Sequence, residues 1–227
     1  DFAALLHAAG SVPGIRRLRF TSPYPTDFTE VVIAAMAAVP AVCEHVHLPV
    51  QSGSNVVLKR MLRRYTREQY LDVVRRLRSA IPDITFSTDI IVGFPGESEA
   101  QFAETLSLVA EAGFDDAYTF KYSVREDTPA VRLRNHVAPE VAGERLERLI
   151  ELVRDQVRRK NMARVGSTAE VLVERAARRG DMVLGRTRSN LLVLLDLPRT
   201  AIGEYHEVQL TGTTGSTFTG QVVQPKL

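Results

Sequence analysis

Two rhythms of apolar and polar positions alternate through the first 135 residues, and a third replaces them after that. Residues 1–9 read as a helix, and Arg16-Arg17-Leu18-Arg19-Phe20 reads as a short strand after the Pro13-Gly14 break. A loop from Thr21 to Asp27 leads into an apolar helix over 29–38, which Pro40 follows. The cycle then repeats. His45 to Val50 is a strand, Gln51-Ser52-Gly53 a turn, and Ser54 stands as the N-cap of a helix over 55–63. Thr66 and Gln69 have capping-box spacing for a second helix, whose Tyr70, Val73, Val74, Leu77 and Ile81 recur on one face until Pro82. Ser87 to Val92 is the third strand, running into Gly93-Phe94-Pro95-Gly96-Glu97. Ser98 with Gln101 caps the next helix, Gly113 stops it, and Tyr118 to Tyr122 is the fourth strand.

Strands that alternate with helices pair in parallel through right-handed crossovers, so this part is α/β, an open sheet or part of a barrel. From Pro139 to about Met162, Leu146, Leu149, Ile150, Val153 and Val157 mark a long amphipathic helix, with Arg145, Arg148, Arg154, Arg158, Arg159 and Lys160 on its outer face. Short β-branched segments at 168–174, 182–187, 191–195, 206–211 and 218–223 follow, separated by glycine turns. This is the texture of a small antiparallel barrel. The expected domains are 1–162 and 163–227.

Sorting the strand residues by face gives the first hint of chemistry. Arg17, Arg19 and Thr21 share a face of the first strand, His45, His47 and Gln51 of the second, Ser87 and Asp89 of the third, and Thr119, Lys121 and Ser123 of the fourth. The opposite faces are apolar and need helices to cover them. A polar interior across four strands costs about 1–3 kcal/mol for each unsatisfied group, so the pattern predicts a ligand-filled cavity. In α/β folds, ligands bind where strands end, here at Gln51-Ser52-Gly53, at Gly93 to Glu97 and at Ser123 to Pro129. Gly93 and Gly96 allow close backbone approach, Phe94 can cover a flat ring, and Glu97 can accept from a hydroxyl or amine. No GxGxxG or Walker pattern and no zinc spacing of histidines occurs.

Composition narrows the class. Residues 1–159 hold 20 Lys and Arg against 21 Asp and Glu, whereas 160–227 hold 9 against 6, so the tail is the basic part. No apolar run approaches the roughly 20 residues of a spanning helix, and the opening lacks the basic leader of a signal peptide. The first residue is not Met, consistent with a start partway through a longer protein. One cysteine, Cys43, excludes an internal disulfide and cannot by itself hold a metal cluster. A cytoplasmic, membrane-free location is expected.

The runs Arg19-Phe20-Thr21-Ser22-Pro23-Tyr24-Pro25, His47-Leu48-Pro49-Val50-Gln51-Ser52-Gly53-Ser54 and Asp89-Ile90-Ile91-Val92-Gly93-Phe94-Pro95-Gly96-Glu97, with Tyr122-Ser123 and Thr128-Pro129-Ala130, carry a resemblance. Over nearly its whole length the chain resembles the radical S-adenosylmethionine methylthiotransferases. Within that family it is most similar to the branch that modifies isopentenyl-adenosine beside the anticodon of tRNA. Branches acting on threonylcarbamoyl-adenosine or on a ribosomal protein share much of the motifs, and a non-catalytic RNA-binding module is a further alternative. Ser52-Gly53 after Gln51 favours the tRNA branch, and Arg125-Glu126-Asp127 departs from the proline and glycine often found there.

The resemblance implies a partial radical SAM (β/α) barrel followed by a small RNA-binding barrel, the TRAM domain. It also implies S-adenosylmethionine and two 4Fe–4S clusters as cofactors, a reductant for the clusters, and the tRNA anticodon stem-loop as partner. One cluster cleaves S-adenosylmethionine to a 5′-deoxyadenosyl radical that takes hydrogen from the adenine ring. The second supplies sulfur, which a further S-adenosylmethionine methylates. Both need cysteine thiolates. The family's CxxxCxxC loop is expected upstream of Asp1, which would leave this chain inactive alone. Carried over by position, Gln51 and Ser52 would contact the ribose or amino-acid part of S-adenosylmethionine, and Ser87 and Asp89 would line the cavity. Gly93 and Phe94 would flank the adenine, with Tyr122 and Ser123 nearby. Arg63 is the candidate for the carboxylate, or else part of a solvated face with Arg60, Arg64 and Arg67. For RNA the candidates are Arg175, Arg178, Arg179, Arg186 and Arg188.

Overall fold

The computed structural model describes residues 1–21, 24–124, 129–178 and 181–223. Its contacts divide the chain into two units, Asp1–Val42 with Val46–Gln156, and Cys43–His45 with Val157–Leu227. In the first, β1 (His45–His47), β2 (Thr85–Val92) and β3 (Asp116–Lys121) form a sheet in sequence order, with β2 and β3 parallel. The helices are α1 (Phe2–Gly10), α2 (Glu30–Ala38), α3 (Asn55–Arg60), α4 (Arg67–Ala80), α5 (Glu99–Ala112) and the long α6 (Pro139–Arg164), within which the division falls.

Side chains cap four of the helix starts, at Asp1, Thr29, Thr66 and Ser98. Thr66 and Ser98 each make a complete capping box, with Gln69 and Gln101, and Gly113 ends α5 in the left-handed conformation at φ 62°. Ser54 occupies the N-cap position of α3 without a capping bond. Its N–H instead donates to Ser52 Oγ at 3.2 Å.

The strand expected over 16–20 is reduced to two isolated parallel bridges, Leu18 with Val42 and Thr21 with His47. Its partner strand is itself only three residues long, because Pro49 has no N–H to continue a ladder. Side chains take over there. Tyr70 Oη donates to Leu48 O at 2.7 Å, Tyr65 Oη to Val50 O at 3.1 Å, and Val50 N–H donates to Thr88 Oγ1 at 2.9 Å. This stitching carries the chain as far as Gln51, whose N–H donates to Asp89 O. Beneath it Val46, Leu48, Val50, Phe86, Ile90 and Val92 are fully buried, with Leu77, Phe102 and Phe114 among the buried helix and turn residues. Each such side chain contributes about 1.5–3 kcal/mol.

One expected face is reversed. Parallel partners share a face, and the register pairs Asp89 with Tyr118 and Ile91 with Phe120. Tyr118 and Phe120 therefore stand on the Asp89 side, and Thr119 and Lys121 on the other. Apolar alternation misassigns β3 because a polar clamp sets its register. Phe86 N–H donates to Asp115 Oδ2 at 2.9 Å, and Asp115 N–H donates to Phe86 O at 2.8 Å. Arg145 also departs from expectation: it is not on the outer face of α6 but 5% exposed.

In the second unit β4 (Thr168–Ala176), β5 (Val183–Thr187), β6 (Leu192–Leu195), β7 (Tyr205–Thr213) and β8 (Thr217–Val222) close a barrel in the order β4-β5-β6-β8-β7. Four pairings are antiparallel and one, β6 with β8, is parallel. A ring with an odd number of strands cannot alternate direction all the way round, so the expected all-antiparallel barrel is closed by one parallel pair. Val171, Val173, Val183, Val193, Leu195, Val208, Leu210 and Phe218 fill its interior. Gly220 lies against them, where a Cβ would stand 2.4 Å from Val208 Cγ1.

Candidate cofactor-binding site

A cavity of about 750 Å3 opens at the ends of β2 and β3 in the first unit. Gln51, Arg63, Asp89, Phe94, Tyr122 and Ser123 line it, joined by Arg60, Met61, Leu62, Ile91, Phe120, Lys121, Ala130 and Leu133. Six of the nine positions expected to contact the cofactor thus meet around one space. Its volume lies within the range of small-ligand sites, roughly 300–1,000 Å3. Two polar atoms in the wall, Arg63 Nε and Tyr122 Oη, are buried without a hydrogen-bond partner. Unpaired buried donors cost about 1–3 kcal/mol each, a cost that a polar ligand would remove. Tyr122 is otherwise held by aromatic packing, edge-on to Phe94 with ring centres 5.0 Å apart. Arg60 donates to Gly96 O at 2.7 Å, which ties the end of α3 to the glycine turn.

Ser52, Ser87 and Gly93 do not line the cavity. Ser52 is fully buried, with its hydroxyl 3.3 Å from Thr105 Oγ1, and Gly53 N–H donates to that same Thr105 oxygen at 3.0 Å. A Cβ on Gly53 would lie 2.5 Å from Thr105 Cα, so the Ser52-Gly53 step is what lets α5 pack directly on this turn. Only Gln51 faces the cavity, and it does so from a left-handed backbone, φ 67°. Ser87 is bonded to a neighbour: His47 Nδ1 lies 2.9 Å from Ser87 Oγ, and His47 Nε2 lies 3.4 Å from Asp89 Oδ2. The polar faces of β1 and β2 therefore do come together, as a Ser87–His47–Asp89 row against which Tyr118 packs edge-on at 5.8 Å.

Gly93 shapes the turn from behind. Its φ is 73°, and a Cβ there would stand 2.8 Å from Ala142 Cβ on α6. Gly93 N–H donates to Glu97 Oε2 at 2.8 Å, and that same oxygen accepts from Arg145 Nη1 at 2.9 Å. Glu97 is thus turned inward rather than toward a ligand. Burial pushes its carboxyl up from the ordinary range, opposed by the Gly93 N–H and the Arg145 guanidinium. Strand sorting could not find Arg60, Met61 or Leu62, which come from the end of α3 and the residues after it. It missed Phe120 because the face of β3 was reversed.

On the barrel, Arg175 and Arg178 are exposed. Arg186 donates to Glu174 Oε2 at 3.1 Å and to Asn190 Oδ1 at 2.9 Å. Arg188 holds Glu44 through Nε at 3.0 Å and Nη2 at 2.7 Å, a pairing that raises its already high pKa. Arg179 lies outside the described residues, as do Ser22, Pro23 and the loop 125–128.

Residues 1–109 match the model of the Radical SAM superfamily, and residues 163–223 match that of the TRAM domain. The amino-terminal part of the chain is thus similar to the Radical SAM superfamily and the barrel to TRAM domains. Two relatives named tRNA-2-methylthio-N(6)-dimethylallyladenosine synthase, from Clostridium botulinum and Alkaliphilus oremlandii, are each 44% identical to the chain, over 98% and 99% of its length. One of the same name from Acidothermus cellulolyticus is 50% identical over 85% of it. The chain spans about half the length of these relatives, 50%, 48% and 39% in turn. A radical SAM enzyme of solved structure, coproporphyrinogen III oxidase from Escherichia coli, shares the fold with a TM-score of 0.51 at 15% identity, over 88% of this chain and 50% of its own.

The donors present do not fit an iron–sulfur cluster. The chain has one cysteine, Cys43, which is buried, and among the described residues no three His, Cys, Asp or Glu side chains gather into a metal-ligating group. Nor is any described helix long and apolar enough to cross a membrane.

Proposed function

We propose that this chain carries the S-adenosylmethionine cavity and the RNA-binding barrel of a tRNA methylthiotransferase, the activity that adds a methylthio group at position 2 of N6-dimethylallyladenosine beside the anticodon. The observation that carries the reading is that relatives named for this reaction align along nearly the whole chain, cavity turns and barrel included. The cavity supports it independently. S-adenosylmethionine has a carboxylate, an ammonium, ribose hydroxyls and a flat adenine, and the wall offers a partner for each. Arg63 suits the carboxylate, since a guanidinium pairs with it in bidentate fashion and Arg63 Nε is unpaired. Asp89 suits the ammonium, Gln51 and Ser123 the hydroxyls, and Phe94 with Tyr122 the adenine. When bound, the cofactor supplies a methyl group and, on reductive cleavage, an alkyl radical. The residues of this chain bind and orient it and keep water from the apolar side of the cavity. These 227 residues do not supply the thiolates of the clusters. A reductant, the anticodon stem-loop as partner, and a cytoplasmic location belong to the same proposal.

The test has two parts. Calorimetric titration of the chain with S-adenosylmethionine should show binding that Arg63→Ala weakens by roughly tenfold or more, the equivalent of about 1.4 kcal/mol. No binding by the folded wild-type chain would remove the cavity assignment. Joined to the unmatched half of the Clostridium botulinum relative and loaded with clusters, the chain should give methylthio-dimethylallyladenosine in tRNA digests by mass spectrometry. Methylthiolation found only on threonylcarbamoyl-adenosine, or only on a ribosomal protein, would overturn the substrate.

A further inference from the structure

We propose that Arg145 is a positioning residue for the cavity, fixing from α6 the Gly93–Glu97 turn that carries Phe94. The inference rests on the cavity reading above and adds a residue that lies outside the cavity wall. Arg145 is only 5% exposed although it stands on a helix of charged surface residues. Its Nη1 donates twice to one residue, to Glu97 Oε2 at 2.9 Å and to Glu97 O at 3.0 Å, and its Nε donates to Glu99 Oε2 at 3.3 Å. Glu97 in turn accepts from Gly93 N–H. One guanidinium therefore grips a side chain, a main-chain carbonyl and, through the carboxylate, the first amide of the turn. The face of α6 that carries Arg145 also carries Ala142 three residues earlier, so Gly93 is pressed by the same helix that holds Glu97. The guanidinium also lies over the Phe102 ring at 5.6 Å, a cation–π contact.

The energetics favour positioning over simple stability. A buried ion pair loses in desolvation much of what it gains in attraction, and an apolar pair of similar size is often at least as stable. Here the pair is also incomplete, since Glu97 Oε1 is buried without a partner. What the pair supplies is direction. Hydrogen bonds to both ends of a five-residue turn leave Phe94 with one placement, edge-on to Tyr122, and those two rings form the aromatic wall of the cavity.

The test uses Arg145→Met and Arg145→Lys, with amide exchange of Gly93 in the ligand-free chain and calorimetry with S-adenosylmethionine as readouts. Losing a charge-assisted grip should speed Gly93 exchange at least about tenfold and weaken cofactor binding by a similar factor, with the amides of α4 and β2 unchanged. Arg145→Lys, which keeps the charge but loses the fork, should recover part of both. If Arg145→Met does not fold, the double variant Glu97→Gln with Arg145→Met leaves no lone charge and is read in the same way. Gly93 exchange and affinity equal to wild type in a folded variant would overturn the proposal. If the wild-type chain binds no S-adenosylmethionine, the cofactor reading fails. Gly93 exchange then still decides whether Arg145 orders the turn.

Discussion

Gln51 shows how a single residue can be legible in type and illegible in conformation. Its polarity at the end of an apolar strand marks it as a cavity residue, and it does line the cavity. Nothing in the sequence signals its φ of 67°, a region that costs a residue with a Cβ about 1–2 kcal/mol. The backbone is held there because Gln51 N–H donates to Asp89 O while Gln51 O accepts from Ile91 N–H, which clips both sides of one residue to β2. Gln51→Gly should therefore relieve strain while removing a ligand contact. The expected outcome is an unchanged or higher unfolding free energy in urea, by up to ~1 kcal/mol, together with weaker S-adenosylmethionine binding. A fall in both would show that the side chain serves packing, and calorimetry beside the unfolding curve separates the two. Arg145 is the opposite case. Charge at helical spacing reads as surface, and only the structure, by packing the helix on a turn that holds a carboxylate, turns that arginine inward.

At the scale of the elements, local chemistry was readable wherever it closes on itself. The boxes at Thr66–Gln69 and Ser98–Gln101 and the glycine stop at Gly113 need only a few adjacent residues, and all three form. Ser54 stands at a helix start but makes no cap: Val57 cannot reach back as Gln69 and Gln101 do, the Ser54 N–H donates to Ser52 Oγ, and the Ser54 hydroxyl has no partner. The two serve as a matched experiment. Thr66→Ala should cost about 1 kcal/mol in a urea titration, as losing a cap does. Ser54→Ala removes a hydroxyl that is buried and unpartnered, so it should be close to neutral. An equal cost at both positions would mean that Ser54 is paired in solution. The face of β3 was not readable, because a strand whose Tyr118 and Phe120 remain about half exposed has no apolar side to declare it. β4 hides a similar turn of phase. The register slips between Val173 and Arg175, so Val173 faces the barrel interior opposite Gly185 while Arg175 pairs with Leu184 on the outside. Strict alternation from Val171 and Val173 would have placed Arg175 inside the core. The bulge makes an exposed cation of it.

Across the whole molecule, the arginine excess of the tail was visible as a count, and the structure divides it by what each arginine already does. Arg186 and Arg188 spend their donors on Glu174, Asn190 and Glu44, whereas Arg175 and Arg178 are exposed. A phosphate would have to displace an existing carboxylate to use the first pair, whereas among the described residues no carboxylate is seen on the second. The two pairs should therefore respond differently when a tRNA anticodon stem-loop is titrated at several salt concentrations. Replacing both Arg175 and Arg178 with Ala should weaken binding and reduce the slope of log K against log salt by roughly 1–2, since each phosphate contact contributes slightly less than one released counterion. Thermal stability should barely move, because neither residue fills the barrel. Arg188→Ala should do the reverse, lowering stability by removing the guanidinium that holds the half-buried Glu44 while changing the salt slope little. If the slope instead falls with Arg188→Ala and not with the double variant, RNA lies on the other face of the barrel, and the ion pair with Glu44 is a resting state that RNA replaces.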